Sequence, residues 1–201
     1  MRRIKMQVPP TLEQLQKELR RETYRRNYGK ALRGTVYSLI IVAAIAVLVA
    51  TLLLPVLQIY GTSMAPSLDD GDIVVSLKGA NFNRGDIVAF YYNNKILIKR
   101  VIALPGEWID IDEQGTVWID GVLFEEPYLA EKAKGECDIE LPFQVPEARL
   151  FLMGDHRTVS VDSRSTSVGC VAEEQIVGKI VYRIWPLSMF GGIPGVFRRD
   201  G

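Results

Sequence analysis

A long uncharged segment constrains this chain more than any other feature. No Asp, Glu, Lys or Arg lies between Arg33 and Asp69, and the centre of this gap, residues 36–54, reads VYSLIIVAAIAVLVATLLL. A helix of about 20 predominantly apolar residues is long enough to cross the hydrocarbon layer of a bilayer. We therefore predict one transmembrane helix, within residues 34–57.

Two other interpretations of this segment fit less well. A buried helix of a soluble protein usually keeps a polar face, and this segment has none. A cleaved secretory signal peptide has a shorter apolar region, of about 7 to 15 residues. We therefore predict an uncleaved signal anchor.

The charges of the chain are balanced overall but unevenly distributed. With 24 basic and 24 acidic side chains, the chain lacks the basic excess expected of a nucleic-acid-binding protein. The first 33 residues, however, hold ten Lys or Arg and three Glu. Because basic residues beside a membrane helix tend to stay in the cytoplasm, we predict a cytoplasmic N-terminus and an extracytoplasmic domain at 58–201, anchored in the cell membrane by a single pass.

Residues 1–33 form the predicted basic arm, which includes a short amphipathic helix. Thr11 and Gln14 have the spacing of a capping box, and Leu12, Leu15 and Leu19 fall on one helical face. The sequence leaves open whether this helix contacts anionic lipid or a partner, or is simply solvated.

After the apolar segment, the pattern changes to that of β-strands. Asn93-Asn94 and Gly115 lie at positions expected for hairpin turns. We therefore predict a mostly β fold, with a single membrane-anchored β domain preceded by one N-terminal transmembrane helix. The predicted strands are 72–77, 86–92, 95–103, 108–112, 116–120, 149–153 and 179–184.

Several classes of chemistry find no support in the sequence. The chain has one histidine, His156, no metal-ligand spacing and no glycine-rich phosphate loop. We therefore predict no metal site, no small-molecule cofactor and no nucleic-acid partner. Cys137 and Cys170 are isolated in the sequence, and their spacing is compatible with a disulfide or with two free thiols.

Ser63 and Lys99 are candidates for a nucleophile and its base. Ser63 lies in a glycine-containing segment soon after the apolar stretch, and a serine hydroxyl needs a base to take its proton. Lys99 lies in the apolar stretch ILIKRVIAL, where strand alternation turns it inward with Leu97 and Val101 if Arg100 faces solvent. Burial would favour its neutral form. Taken alone, a serine in such a segment is usually only part of a turn, and a lysine in an edge strand usually only guards against aggregation.

Four sequence motifs that occur in a fixed order give Ser63 and Lys99 together a more specific meaning. GTSMAPSL at 61–68, RGDIVAF at 84–90, IKRVIALPGE at 98–107 and MGDHRTVSVDSR at 153–164 resemble the successive motifs of bacterial type I signal peptidases. The resemblance spans residues 33–186. It implies a membrane-bound serine endopeptidase with the signal-peptidase fold, whose partners are preprotein signal peptides and the lipid bilayer. It also implies removal of signal peptides by Ser/Lys acyl transfer, with cleavage after small residues.

The resemblance assigns roles to individual residues. Ser63 resembles the catalytic nucleophile and Lys99 its general base. Ser160 is similar to the serine that hydrogen-bonds the lysine amine, and Asp162 and Arg164 are similar to the pair that braces the site.

The oxyanion region departs from the family pattern, because Gly61 stands where some members have a side-chain hydroxyl. The donors expected here are the backbone N–H of Ser63 and, as one option, the side chain of Thr62.

Three alternatives remain at this stage. His156 replaces the asparagine of a family motif, so a triad of Ser63, His156 and Asp162 is conceivable. A self-cleaving repressor shares the Ser/Lys dyad, although it would need a DNA-binding domain where the anchor lies. A noncatalytic binding module could keep the fold, although it would be expected to lose the dyad.

Overall fold

The structure is a computed structural model that describes residues 11–193. Arg2, Arg3 and Lys5 of the predicted basic arm, and residues 194–201 of the predicted β domain, lie outside the described residues. The chain divides into two units between Ala50 and Thr51, a helical unit and a β unit.

One continuous helix of 42 residues, α1 (Leu12–Leu53), runs through the helical unit, and its last three residues belong to the β unit. Its start has half of the predicted capping box, since Thr11 N–H donates to Gln14 Oε1 at 3.1 Å. The residues predicted to form a short amphipathic helix are the first turns of α1, which continues without a break into the apolar segment. By length and composition α1 is able to cross a membrane.

The helix α1 ends inside the segment that was predicted as the anchor. The helix stops at Leu53, shortly before Pro55, which cannot continue a helix. The next residues already belong to the β unit, because Val56–Gln58 forms a strand paired with Ile73–Val75. The predicted segment 34–57 therefore extends past the helix into the first strand.

The β unit confirms the predicted mostly β fold. Within residues 54–193 the only helical turns are two short 3₁₀ turns, at Glu173–Gln175 and Leu187–Met189. The strands are β1 (Val56–Gln58), β2 (Ile73–Leu77), β3 (Ile87–Tyr92), β4 (Lys95–Ala103), β5 (Trp108–Ile111), β6 (Val117–Ile119), β7 (Val122–Leu123), β8 (Phe143–Gln144), β9 (Arg149–Met153), β10 (Val171–Ala172), β11 (Ile176–Trp185) and β12 (Gly191–Gly192).

Eight strands form a large antiparallel sheet. Their order is β1-β2-β11-β3-β4-β9-β10, with β12 paired to β11. The predicted hairpin between β3 and β4 is confirmed: Asn93 and Asn94 both have positive φ, at 44° and 61°, as expected for a two-residue turn that follows the strand twist. This order places β4, which carries Lys99, in the interior of the sheet.

The other four strands form a small sheet in the order β7-β6-β5-β8. Ile109 and Ile111 of β5 point to a core that also contains Phe151 and Met153 of β9. This core joins the small sheet to the large one. The predicted hairpin around Gly115 is confirmed, since β5 and β6 pair in antiparallel register.

A second core cluster lies beneath the segment that carries Ser63. Met64 and Leu68 are 2% and 0% exposed and pack with Val74 and Ala89. Because both side chains are buried, they hold the backbone of residues 64–68 against the large sheet.

The two cysteines do not form a disulfide. Cys137 and Cys170 are both free thiols, each partly buried. Burial raises the pKa of the Cys170 thiol to about 11, so this thiol stays protonated at neutral pH.

Candidate active site

Ser63 lies in a turn whose backbone is fixed on both sides. Before it, Gly61 N–H donates to the Asp70 carboxylate at 2.7 Å. Gly61 has a φ of 85°, a conformation that glycine adopts at little cost. After it, Leu68 N–H donates to the Met64 carbonyl at 2.9 Å. The turn therefore holds a partly exposed hydroxyl in a defined place.

Lys99 contacts the Ser63 hydroxyl directly. Its Nζ lies 2.7 Å from Ser63 Oγ, although the two residues are 36 positions apart in the chain. Lys99 as a whole is only 4% exposed. An amine at this distance can accept the hydroxyl proton once the amine is neutral.

The surroundings of Lys99 favour the neutral amine. Burial is the largest effect and lowers its pKa from 10.5 to about 8. The negative charges of Asp162 and Asp155 oppose this change, whereas the positive charge of Arg164 assists it. Near neutral pH, a usable fraction of Lys99 is therefore deprotonated.

A small cavity opens beside the two side chains. Its volume is about 80 Å³, and both Ser63 and Lys99 border it. The other walls are mainly apolar and come from the segment before Ser63 and from β4, including Tyr60, Met64, Ile96 and Ile98.

Arg100 does not face solvent, so the condition under which alternation turned Lys99 inward is not met. It is 1% exposed, because β4 lies inside the sheet and both of its faces are covered. Its Nε and Nη2 donate to the two oxygens of Asp155 at 2.8 and 2.6 Å, and Nη2 also donates to Ser67 Oγ at 2.9 Å. Its guanidinium lies 3.9 Å from the centre of the Tyr128 ring. Arg100 thus links β4 to the Ser63 turn.

Asp162 and Arg164 form a buried ion pair near Lys99. Both side chains are 0% exposed, and Arg164 Nε and Nη2 each donate to a different Asp162 oxygen at 2.8 Å. Gly154 N–H also donates to Asp162, at 2.9 Å. Burial alone would raise the pKa of Asp162, but the hydrogen bonds and charge of Arg164 outweigh it and the pKa is lowered.

Ser160 is buried beside the site but does not bond to Lys99. It is 3% exposed, and its hydroxyl lies close enough to the Asp162 carboxylate to help lower the pKa of that group, but it makes no hydrogen bond with Lys99. The bond to Lys99 that the resemblance implies is therefore absent from the structure. Ser160 instead packs against Gly154, where an added Cβ would lie 2.2 Å from Ser160 Oγ.

The oxyanion region leaves two donors free of other described partners. The Gly61 amide is occupied by Asp70. The Ser63 amide and the Thr62 hydroxyl make no hydrogen bond within residues 11–193. Thr62 is exposed, and its carbonyl accepts from the Ala65 amide at 3.1 Å.

His156 does not form a triad with Ser63 and Asp162. Its backbone N–H donates to the Ser63 carbonyl at 3.0 Å, and its ring Nδ1 lies 3.3 Å from the Thr62 carbonyl. The Asp162 oxygens are used by Arg164 and Gly154. His156 therefore contacts the backbone on either side of the Ser63 side chain, whereas the Lys99 amine contacts the hydroxyl itself.

Two buried ion pairs around the site were not predicted from the sequence. Arg100 pairs with Asp155, and Arg157 pairs with Glu126. Three of the four residues lie within the recognised blocks, at positions next to proposed site residues. Their place in these blocks could have marked them as part of the site. Glu126 lies outside every block, so the sequence offered no such signal for it.

Comparisons with known proteins agree with this geometry. The family described as signal peptidase, peptidase S26, matches residues 32–185. Signal peptidase IB of Staphylococcus aureus (strain Mu50 / ATCC 700699) is 32% identical over 181 residues, which cover 80% of this chain and 93% of that protein. Signal peptidase I of Bacillus licheniformis is 32% identical over 175 residues, covering 81% and 93%.

One solved structure is also similar. The crystal structure of a signal peptidase I from Enterococcus faecalis V583 has a TM-score of 0.44 and 30% sequence identity. The match covers 50% of this chain and 97% of that one. The family match and the two curated relatives confirm the resemblance found in the sequence, and the chain belongs to the signal peptidase family, peptidase S26, as a serine endopeptidase of the bacterial type I group.

Proposed function

We propose that this peptidase removes N-terminal signal peptides from exported preproteins by acyl transfer, with Ser63 as nucleophile and Lys99 as general base. The observation that carries the proposal is the 2.7 Å contact between a buried lysine amine and a serine hydroxyl at the edge of a small cavity. The chain's membership of the signal peptidase family supports the substrate class.

The proposed reaction has two stages. Ser63 Oγ attacks the scissile carbonyl carbon while Lys99 takes the hydroxyl proton, and Lys99 then passes this proton to the leaving amine as the C–N bond breaks. Water next attacks the acyl-enzyme, again losing a proton to Lys99, and Ser63 is restored. The charges of Asp162 and Asp155 offset part of the cost of the transient buried ammonium.

The tetrahedral intermediate needs donors for its oxyanion. The Ser63 amide is the first donor in this proposal, because it lies on the nucleophile and has no other described partner. The Thr62 hydroxyl is the second. The contacts of His156 with Ser63 and Thr62 support this arrangement by fixing both backbone carbonyls.

The cavity beside Ser63 supports a preference for small residues. Its volume is about 80 Å³, and its walls are mainly apolar, as suits a small side chain such as that of alanine. We propose cleavage after small residues, with alanine typical at the first and third positions before the scissile bond.

The proposed placement is at the cell membrane, with α1 as the anchor and the lipid bilayer as a partner. The lysines and arginines before the apolar segment favour a cytoplasmic N-terminus, and the β unit would then be extracytoplasmic. This places Ser63, ten residues after the last residue of α1 in sequence, on the side where translocated signal peptides emerge.

The direct test uses a preprotein with an Ala-x-Ala site and the full chain in detergent micelles. We expect cleavage after the second alanine, with both products identified by mass, and no cleavage by Ser63→Ala. Replacing both alanines with phenylalanine should abolish cleavage by the wild type. Cleavage at other sites, or cleavage by Ser63→Ala, would refute the proposal.

The activity should depend on pH through Lys99. Since its pKa is about 8 and the neutral amine is the active form, kcat/KM should rise about tenfold per pH unit below pH 8 and level off above it. The measurement is a kcat/KM profile from pH 6 to 10 at constant ionic strength. A rising limb that disappears in His156→Asn would instead assign the base to His156.

Gly154 is expected to be essential for the geometry of the nucleophile. A Cβ at this position would lie 2.6 Å from the Ser63 carbonyl oxygen, so Gly154→Ala must displace the Ser63 backbone or Ser160. We expect kcat/KM to fall by roughly 10- to 100-fold. Gly191→Ala is the matched control, because nothing lies within 4 Å of a Cβ there. Equal activity of the two variants would contradict this geometry.

A further inference from the structure

We propose that the solvent-facing side of the small sheet binds a basic segment of another polypeptide, with a Lys or Arg side chain held against Trp108 and Trp118 and paired with Asp110. This face borders a groove of about 410 Å³, lined by Trp108, Ile109, Asp110, Trp118, Gly121 and Pro142. We call it the tryptophan groove.

Strand alternation places both indoles on the same face. In β5, Ile109 and Ile111 are in the core, so Trp108 and Asp110 point outward. In β6, Trp118 points outward and pairs directly with Asp110 across the two strands. Trp108 is 48% exposed and Trp118 is 38% exposed. Two large aromatic side chains therefore meet solvent beside a carboxylate, and neither fills the core.

The acidic charge around the tryptophan groove favours a basic partner. Residues 107–147 contain twelve acidic and two basic side chains, and one of those bases, Lys134, already pairs with Glu113. Glu107 and Glu126 are neutralised by Arg84 and Arg157, yet a large acidic excess remains. This excess repels an anionic membrane surface and attracts a basic chain.

The groove itself has the groups that a basic side chain needs. An ammonium or guanidinium group is attracted to the face of an indole ring, and more strongly so when a carboxylate is also in reach. Asp110 Oδ1 accepts from the Ile111 amide at 2.9 Å, and its other oxygen has no partner among the hydrogen bonds and ion pairs of the described residues. That oxygen is available to a ligand.

This site is separate from the proposed catalytic site. The tryptophan groove shares no lining residue with the cavity at Ser63 and Lys99. The inference therefore does not depend on the proposed function, and loss of binding at the groove should leave cleavage of a short substrate lacking basic residues unchanged.

The test uses indole emission as its signal. The chain has three tryptophans, so Trp185→Phe leaves only the two of the groove. In this background, the full chain in detergent micelles is titrated with the peptide GSGKRKGSG and with its uncharged counterpart GSGQQQGSG at low ionic strength. We expect a saturable change in emission with the basic peptide, and none with the uncharged peptide.

Substitutions then locate the site. Asp110→Asn and Trp118→Leu should each weaken binding of the basic peptide by about fivefold or more, with Trp108 still reporting in the second variant. Glu174→Gln, which removes an exposed carboxylate elsewhere, should bind normally. Near-ultraviolet circular dichroism and cleavage of the short substrate check that each variant is folded.

Three outcomes would overturn the proposal. Equal responses to the two peptides would indicate an apolar partner instead of a basic one. Unchanged binding in Asp110→Asn, despite its normal fold, would exclude the groove as the basic site. Self-association of the wild type that is lost in Trp118→Leu would assign the groove to a second copy of the chain.

Discussion

Replacing Lys99 with methionine is expected to reduce kcat/KM for preprotein cleavage by about 10²- to 10⁴-fold, the range typical of a lost general base. Methionine fills much of the same volume but cannot accept the Ser63 proton. The contact of Lys99 Nζ with Ser63 Oγ is the basis for this expectation. Initial rates on the Ala-x-Ala preprotein measure the effect.

Lys95→Met is the matched control. Lys95 lies on the same strand, β4, but it is exposed and does not contact Ser63, so its loss should change kcat/KM less than about twofold. Equal losses of kcat/KM in both variants would show that the effect comes from a disturbed β4 or from the loss of any positive charge. Activity retained in Lys99→Met would remove Lys99 from the mechanism.

The stability of Lys99→Met separates a lost base from a lost fold. The pKa of Lys99 is lower in the folded state than the ordinary value of 10.5. The unfolded chain therefore binds the proton more tightly, and folding carries a cost below about pH 8 that disappears as the pH rises toward 10.5. At pH 7, Lys99→Met should be no less stable than the wild type.

The sequence predicted the longer strands best. β4 and β9 match their predicted limits, and β3 differs by one residue, because runs of five to nine residues rich in apolar and β-branched side chains are visible without tertiary information. β7, β8, β10 and β12 have two residues each, too few for a period. Their pairing depends on neighbours distant in the chain.

The error at Arg100 shows the limit of local patterns. Strand alternation correctly predicted that Lys99 points inward, but this prediction assumed that the opposite face of β4 meets solvent. In the sheet, β4 lies between β3 and β9, and the Asp155 carboxylate covers that opposite face. A basic residue is buried there only because its partner arrives from a loop 55 positions away, which strand periodicity does not reveal.

The site itself was predictable from motif order and not from residue chemistry. Ser63, Lys99 and Asp162 come from three separate parts of the chain, and only the resemblance of their blocks to one family placed them together. The structure confirms their proximity through contacts and charge, whereas the hydrogen bond expected between Ser160 and Lys99 is not made. The orienting role of Ser160 therefore stays a prediction.

Asp162→Ala is expected to lower the free energy of unfolding of the β unit by about 3–5 kcal/mol, since it leaves the Arg164 guanidinium buried without its partner. Both side chains are 0% exposed, so water cannot replace the lost carboxylate without opening the structure. The Gly154 amide would lose its acceptor as well. All three tryptophans lie in the β unit, so urea unfolding in micelles followed by indole emission reports on it selectively.

The controls for this prediction distinguish the loss of a buried ion pair from the loss of any negative charge. Glu174→Ala removes an exposed carboxylate and should change stability by less than about 0.5 kcal/mol.

Because the pKa of Asp162 is lowered from 3.8, the stability that it contributes is present above about pH 4 and is lost as the pH falls further. The difference between wild type and Asp162→Ala should therefore be largest near neutral pH and shrink in acid. A difference below 1 kcal/mol at pH 7 would mean that Arg164 finds another partner, and that the pair is not what braces the site.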